Sequence, residues 1–357
     1  MARLIAARRT AVVPRGGAFA RLRIEDLAAP VLLACLADAG LSVDQVDEVI
    51  LSNALGAGGN PARRVALAAG LPDRVAGLSI DRQCAGGLDA ILLARALVDS
   101  GAADVVIAGG AESYSRRPLR YATDPDGGPP VAYNQAPFTP WPDRDPNMGD
   151  AAEALAERLD ISRTAQEAWA VASHAKSARI EHWPEIVALL GVTADAFPRA
   201  LTPALLARAP VIRGSITTAT AAVAADAAAL CLVVSDRIAA GRGLLLVGGA
   251  TVGGDPEMPG LSPVPAIARI WRREPLTMAE VSEAYAVQAI AVVQQAGIDP
   301  AIVNPGGGGL ARGHPVGASG AVLAVRLFHG LKQGRGLAAI AAAGGVGTAL
   351  LVEASGA

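Results

Sequence analysis

The sequence predicts a layered α/β protein built from two halves of similar plan. Each half contains a turn of small residues that leads into a helix of apolar periodicity, near Cys84 in the first half and near His314 in the second. Each of these helices is followed by an apolar strand that ends in a glycine turn, at residues 104–112 and 336–347. Two halves with one pattern indicate an internal duplication. Cys84 and His314 would then occupy equivalent turns that face each other across a pseudo-twofold axis.

Cys84 is predicted to lie at a turn between a strand and a helix. An apolar run at residues 75–80 leads into it, and helical periodicity over residues 90–98 leads out of it. Backbone N–H groups at a helix N-terminus carry partial positive charge, which favours a thiolate over a thiol. Gly86 and Gly87 remove side chains that would block the approach of a substrate. A buried structural cysteine beside a tight turn is the alternative for this residue alone.

A second glycine-rich segment favours the functional interpretation of Cys84. Residues 304–320 read NPGGGGLARGHPVGASG and contain His314, and residues 321–331 continue as a helix. A single histidine is more often a structural residue than a catalytic one, but the glycines around this one leave space for a ligand.

These contexts resemble the thiolase family, within the larger thiolase and ketosynthase fold. The resemblance extends from residues 9–12 through residues 60–63 to residues 344–347, and the contexts of Cys84 and of Gly313-His314-Pro315 carry it. It implies a duplicated α/β/α/β/α layered fold with an inserted loop domain.

The resemblance also implies a division of the chain into three segments. Residues 1–114 would form the N-terminal thiolase half, which carries Cys84. Residues 115–213 would form the inserted loop domain that covers the acyl and coenzyme A site. Residues 214–357 would form the remainder of the core, including the C-terminal half, which carries His314.

Length, charge and cysteine content narrow the class of protein. The 357 residues fit two packed domains or one large duplicated one, and a net charge of −2 provides no basic field for nucleic acid or an acidic membrane. Cys35, Cys84 and Cys231 are too far apart for a disulfide framework or a metal-binding spacing. We find no secretory signal, and the apolar run at residues 219–234 is too short to span a membrane. We therefore expect a soluble cytoplasmic protein without bound metal.

The elements of the first half follow in order along the chain. Residues 26–39 have the periodicity of an amphipathic helix, and residues 46–51 that of a buried strand. Another helix is predicted to begin after Asn60. Asn is a favoured N-cap residue, and Pro61 suits the first helical turn. Residues 116–147 are rich in Pro, Asp and Gly without sustained periodicity, which predicts a long excursion rather than a strand.

The predicted loop domain contains two helices, at residues 150–159 and 163–180. The thiolase resemblance places Met148 at the acyl pocket. Arg163, Lys176 and Arg179 could contact the phosphates of coenzyme A, although solvated helix charges are the more ordinary interpretation. In the second half we expect a strand at residues 244–247, and a helix that residues 280–286 enter.

The residues can support acyl transfer. A thiolate at Cys84 can attack a thioester carbonyl and become an acyl-enzyme. The backbone N–H of Cys84 and, by resemblance, that of Ala343 would stabilise the oxyanion, with Gly344 beside the substrate. His314 would accept the thiol proton and polarise the carbonyl of a second substrate.

Two departures from the thiolase pattern affect the second substrate. The family has a second cysteine, which moves a proton at the α-carbon, where this chain has Ala341. The family's Asn-Glu-Ala-Phe motif holds a water against the enolate, but here residues 282–285 read SEAY. Ser282 could hold that water, although it is shorter than Asn and differently aimed. Glu283 would support the water and histidine network unless it is only a satisfied charge at a helix end. Loss of an acid–base group typically costs about two to four orders of magnitude in rate, so ordinary reversible chemistry would be impaired.

The function predicted first is a thiolase-like acyltransferase. Cys84 would take an acyl group from acyl-CoA or an acyl carrier protein and pass it to a small-molecule acceptor. The most favoured reaction is C–C bond formation (a Claisen condensation), with amine or hydroxyl acceptors left open. A conventional 3-ketoacyl-CoA thiolase with a replaced proton carrier is one alternative, and a non-catalytic acyl-CoA or lipid-binding homologue is another. The resemblance implies no tightly bound cofactor, coenzyme A thioester as substrate, and a homodimer or homotetramer.

Overall fold

The computed structural model describes residues 1–56 and 58–354. In chain order, its strands are β1 (Ala2–Arg9), β2 (Val13–Pro14), β3 (Glu48–Ser52), β4 (Leu78–Ile80), β5 (Val105–Ser113), β6 (Arg120–Ala122), β7 (Val131–Tyr133), β8 (Val211–Arg213), β9 (Ile216–Thr217), β10 (Ala225–Ser235), β11 (Leu244–Gly253), β12 (Met278–Val281), β13 (Gly334–Ala342) and β14 (Val346–Ala354). Its helices are α1 (Ile24–Ala39), α2 (Pro61–Ala68), α3 (Gly86–Asp99), α4 (Met148–Leu159), α5 (Arg163–Ala178), α6 (Pro203–Ala207), α7 (Asp236–Ala239), α8 (Pro263–Ile270), α9 (Ala286–Ala296), α10 (Gly309–Arg312) and α11 (Val316–Gly330).

Strand pairing repeats between the two halves. The sheet order is β12-β13-β14-β11-β1-β10-β5-β3-β4, and β2 pairs with β10. In the first half, β1, β10 and β5 pair antiparallel and β5 pairs parallel with β3. In the second half, β11, β14 and β13 pair antiparallel and β13 pairs parallel with β12. A short antiparallel contact between β1 and β11 joins the halves. The predicted duplicated α/β fold is confirmed.

Helices α3 and α11 form the centre of the molecule. Their apolar residues share one core with the inward faces of both halves of the sheet. The two helices lie very close because glycines stand at their contact: a Cβ on Gly87 would lie 2.7 Å from the Ala321 nitrogen, and one on Gly320 would lie 2.6 Å from the Leu88 nitrogen. The contact lies near the N-termini of both helices, so it brings the segments that precede them together.

Outer helices complete the five layers. Helices α1 and α2 pack on the outer face of the first half, where Leu32 and Leu51 belong to one buried cluster. Helices α8 and α9 cover the outer face of the second half, where Ile267 and Val293 pack against Leu337. Apolar faces on both sides of each half explain why its central strands are almost continuously apolar.

The segment between β5 and β10 differs in part from the sequence prediction. The two helices are confirmed as α4 and α5, and α4 packs on α9 through Leu155 and Ile290. The long excursion, however, contains the two-stranded hairpin β6–β7, and strands of three residues are too short to show a period in sequence. The proposed boundaries at residues 114 and 213 stay a prediction.

Three predicted elements have different bounds in the structure. The apolar run at 75–80 forms a strand only over Leu78–Ile80, while the strand predicted at 244–247 extends over Leu244–Gly253. Residues 282–285 form the turn between β12 and α9, so the helix begins only at Ala286. The predicted cap is confirmed: Arg63 donates its backbone N–H to Asn60 Oδ1 at 3.1 Å.

A buried ionic cluster ties the inserted segment to the core. Arg9 on β1 contacts Asp195 at 2.6 Å and Glu185 at 3.2 Å, and Arg326 on α11 contacts Glu185 at 2.7 Å. Burial alone would raise the pKa of Glu185, but the two guanidinium groups outweigh it and lower the pKa to about 2. Within residues 1–56 and 58–354, no helix is long and apolar enough to cross a membrane.

Candidate active site

Cys84 lies in a tight turn between β4 and α3. One 3₁₀ turn over Gln83–Ala85 precedes the helix, and Gln83 has a left-handed φ of 49°. The Gln83 N–H donates to Asp81 Oδ1 at 2.8 Å, which helps to hold this unusual backbone. The N–H of Cys84 lies in the first turn of the helical run, where N–H groups have no partner within the helix. The turn therefore presents a half-buried thiol beside a backbone N–H donor at the start of the helix.

A second turn at the start of α11 places His314. Gly313 has a φ of 112°, and a Cβ there would lie 2.9 Å from the Ala225 side chain, so only glycine fits. The His314 N–H donates to the Val223 carbonyl at 2.7 Å. The backbone on both sides of the imidazole is thus fixed against the start of β10.

The two turns bring the thiol and the imidazole into contact. Cys84 Sγ lies 2.9 Å from His314 Nε2, and His314 Nδ1 lies 2.8 Å from Ser319 Oγ. If the thiol donates to Nε2, the Nδ1–H is left to donate to the serine hydroxyl. That tautomer is the one a general base needs, and Ser319 holds the ring in place for it.

Burial keeps both partners uncharged. It raises the pKa of the Cys84 thiol to about 12, against a smaller lowering by the cysteine's own N–H and a further increase from Glu112. Burial also lowers the pKa of His314 to about 4. The backbone N–H does favour the thiolate, as expected, but desolvation is the larger effect, so the free enzyme has a thiol.

The contact opens into a cavity of about 400 Å³. Of the predicted site residues, Cys84, His314, Met148 and Ala343 line it, and so does Ala341. Helix α4 of the inserted segment contributes Leu155 to the cavity wall, and helix α9 of the core contributes other residues. The structure thus brings together the predicted nucleophile, base, acyl-pocket methionine and oxyanion residue.

Ser282 and Glu283 lie behind the cavity wall rather than on it. The Ser282 hydroxyl lies 3.3 Å from Gln288 Oε1, and the Ala341 N–H donates to it at 3.4 Å. Glu283 accepts from Ser173 at 2.7 Å and from Asn304 at 2.8 Å. It also accepts from Trp169 Nε1 at 3.0 Å and the Leu310 N–H at 3.2 Å.

These four contacts let Glu283 fix the loop that leads to His314. A Cβ on Gly308 in that loop would lie 2.1 Å from the carboxyl carbon of Glu283. The carboxylate therefore positions the histidine segment through the backbone, and any direct contact with the imidazole stays a prediction.

The basic residues predicted for coenzyme A lie elsewhere. Arg163 contacts Glu167 at 2.7 Å and the Leu206 carbonyl at 3.1 Å. Lys176 donates to the Val303 carbonyl at 2.7 Å. Neither lines the cavity, and their phosphate contacts stay predictions. Gly344, with a φ of 77°, forms the turn just beyond Ala343.

Two family models match almost the whole chain. The model for the thiolase N-terminal domain matches residues 2–237, and that for the thiolase C-terminal domain matches residues 245–354. The chain belongs to the thiolase family. As predicted, it is a thiolase-type acyltransferase.

Individual relatives agree with this assignment. The thiolase chain is 39% identical to YhfS of Bacillus subtilis strain 168, across 98% of both proteins. It is 35% identical to VraB of Staphylococcus aureus strain MW2, again across 98% of both. The names of both relatives assign them provisionally as acetyl-CoA C-acetyltransferases.

Solved thiolase structures share the fold over their full length. The acetyl-CoA acetyltransferase of Bacillus anthracis superposes with a TM-score of 0.89 at 32% identity, covering 99% of this chain and 98% of that one. The Acat5 thiolase of Ascaris suum, solved in complex with coenzyme A, gives a TM-score of 0.91 at 26% identity, covering 99% and 100%.

Sequence reasoning missed two residues of this thiolase site. Ser319 appeared only as a small residue of the turn, although it contacts His314. Glu112, at the end of β5, accepts from the Asn53 amide at 2.7 Å and from the Gly317 N–H at 3.0 Å, so it joins the two halves behind Cys84. Burial raises the pKa of Glu112 to about 7. The sequence signal for Glu112 was a charged residue at the end of an apolar strand; Gly109 and Gly110 before it lie within β5 and do not form the predicted turn.

Proposed function

We propose that Cys84 forms an acyl-enzyme from an acyl-CoA and passes the acyl group to a carbon nucleophile. The observation that carries this proposal is the 2.9 Å contact between Cys84 Sγ and His314 Nε2 at the wall of an open cavity. A thiol and a neutral base in contact are the two groups that thioester attack requires.

The first half-reaction uses His314 as base. As Cys84 Sγ attacks the thioester carbon, its proton moves to Nε2 and the negative charge develops on the carbonyl oxygen. The N–H groups of Cys84 and Ala343 would stabilise that oxygen, each donor contributing about 3 kcal/mol when well placed. Coenzyme A leaves as its thiolate, and His314 keeps the proton of Cys84 until the acyl group is passed on.

Coenzyme A is the better supported donor. Both relatives carry acetyl-CoA in their names, and the Ascaris thiolase was solved with coenzyme A. An acyl carrier protein remains the alternative donor. With coenzyme A as the donor, Met148, which lines the same cavity as Cys84, would contact the acyl chain. Arg163 and Lys176 would contact the coenzyme phosphates.

The acceptor is proposed to be a thioester α-carbon, so that the bond formed is C–C. The names of the relatives favour this reaction over transfer to an amine or hydroxyl. A conventional 3-ketoacyl-CoA thiolase would run the same reaction toward cleavage, and it needs a proton carrier where Ala341 stands.

The test is the mass of the intact protein after mixing with a panel of acyl-CoAs without acceptor. We expect the wild-type mass to increase by one acyl group, and Cys84→Ala to show no increase. Loss of the adduct then identifies acceptors.

No adduct with acyl-CoAs or with acyl carrier protein would refute the acyltransferase proposal. Ligand binding that is unchanged in Cys84→Ala, together with the absence of an adduct, would instead support a non-catalytic acyl-CoA-binding protein.

A further inference from the structure

The proposed reaction needs a proton carrier that Ala341 cannot provide. Making or breaking a bond at the α-carbon of a thioester requires a group that takes or gives a proton there. Ala341 lines the cavity, and its methyl group has no exchangeable proton. His314 is already engaged by the Cys84 sulfur. Another protic side chain at the cavity must carry the proton.

Most other titratable side chains at the cavity are unsuitable. Asp81 is exposed and accepts from the Gln83 backbone and side chain, which places it at the mouth. The Arg120 guanidinium also lines the cavity and donates to the Ala54 carbonyl at 3.3 Å. The ring of Tyr114 lies under the Arg117 guanidinium, at 4.6 Å from the ring centre. Each of these three groups is therefore already engaged by a neighbouring residue.

Tyr285 remains. It lies at the N-terminus of α9, half-buried, and lines the cavity together with Cys84 and Ala341. Burial and then the neighbouring Cys84 raise the pKa of its phenol, and no hydrogen bond from the described residues contributes to that shift. The ring packs against the apolar cluster between α4 and α9. The chain therefore has a protonated and unengaged hydroxyl beside the nucleophile.

We propose that the Tyr285 hydroxyl is the proton carrier at the substrate α-carbon, acting on 3-ketoacyl thioesters in place of a thiol at position 341. This proposal rests on the function proposed above, since it assigns the second half of the same reaction. This chain has Tyr285 where the family motif has Phe, and Ala341 where the family has Cys. In this proposal the first change compensates for the second.

The proton balance is complete in the cleavage direction. Cys84 Sγ bonds to C3 of the 3-ketoacyl thioester as its proton moves to His314, and the C2–C3 bond breaks with its electron pair on C2. The Tyr285 O–H protonates C2 and becomes a phenolate. The phenolate then removes the proton of an incoming coenzyme A thiol, whose sulfur attacks the acyl group on Cys84. Cys84 leaves and regains its proton from His314, and synthesis is the reverse of these steps.

The acidity of the groups agrees with these roles. An enolate carbon is far more basic than a phenolate, so proton transfer from Tyr285 to C2 is downhill. A phenol whose pKa is raised above 10.0 is also a stronger base, once ionised, than a thiolate of ordinary pKa. Transfer from the coenzyme A thiol to the phenolate is therefore downhill as well.

The test is Tyr285→Phe, which removes one oxygen and keeps the ring. The readout is exchange of the C2 protons of acetyl-CoA with D2O, followed by NMR, beside acyl-enzyme formation followed by mass. We expect exchange to fall at least about a hundredfold, while acylation changes less than about threefold. Tyr114→Phe is the matched control at the same cavity, and it should exchange at the wild-type rate.

Adding Ala341→Cys to Tyr285→Phe should restore exchange by at least about tenfold, because it supplies a thiol as carrier. Exchange within about threefold of wild type in Tyr285→Phe would overturn the proposal. So would a wild-type enzyme that acylates but does not exchange, or a loss that Ala341→Cys does not relieve. A wild type that forms no acyl-enzyme would instead refute the proposed function itself.

Discussion

Alkylation of Cys84 by iodoacetamide should be slow at neutral pH and should rise about tenfold for each pH unit, since only the thiolate reacts. Burial raises the pKa of the thiol to about 12 and lowers that of His314 to about 4. Between these values the thiol keeps its proton and the imidazole has none. An ion pair that would hold a thiolate near pH 7 is therefore absent from the free enzyme.

The expected slowing of alkylation follows from comparing the ordinary pKa of a cysteine thiol with the raised pKa of Cys84. A cysteine with the ordinary value of 9.0 is ionised to about 3% at pH 7.5, whereas a pKa of about 12 lowers that fraction about a thousandfold. Alkylation at pH 7.5 should thus be about a thousand times slower than for an exposed cysteine peptide, with no inflection below pH 10.

The assay is intact mass against time with iodoacetamide from pH 6 to pH 9.5. Cys84→Ala is the control for Cys35 and Cys231, which are both fully buried and should not react. Rapid alkylation that is independent of pH above 6 would indicate a thiolate–imidazolium pair, and it would refute the argument that burial dominates at this site.

Three further changes test other parts of the structure. Ser319→Ala should slow turnover about tenfold, the value of one hydrogen bond to His314, and should lower the melting temperature by only about 2–4 °C. Gly87→Ala should cost about 1–3 kcal/mol of unfolding free energy and most of the turnover, because it separates the central helices; Gly253→Ala, in open space, should cost neither. Glu185→Gln should cost about 3–5 kcal/mol by breaking the buried ionic cluster. The pKa of Glu185 in the folded protein is lowered to about 2. The difference in unfolding free energy between wild type and Glu185→Gln should therefore be complete above pH 4.5 and disappear as the pH falls toward 2. Denaturant unfolding at a series of pH values measures this difference.

The duplicated fold was predictable because its signals are local. Strand, turn and helix follow one another within short segments around Cys84 and His314, and the same order recurs in each half. Strands that are covered on both faces are continuous apolar runs, which are easy to recognise in the sequence. The hairpin β6–β7 was missed because its strands have three residues each and exposed side chains, so neither periodicity nor burial marks them.

The candidate site was predictable only where the family pattern specified it. Cys84, His314, Met148 and Ala343 meet at one cavity, as expected from the resemblance. The partner of the imidazole, Ser319, depends on the direction of the first turn of α11, which sequence spacing does not determine. Tyr285 stood out only as a departure from a motif, and its position beside Cys84 follows from the packing of α9 against the core.

The charge state of Cys84 could not have been read from sequence, because two opposing effects compete there. A helix N-terminus favours a negative charge by about 0.3–1 kcal/mol at ordinary positions. Burial that raises the pKa from 9.0 to about 12 corresponds to about 4 kcal/mol in the other direction. The position of the helix gives only the sign of the first effect, whereas the second depends on how the two halves close around the thiol. In the proposed reaction near neutral pH, the thiol would therefore pass its proton to His314 as the sulfur attacks the carbonyl, so that deprotonation and attack occur together.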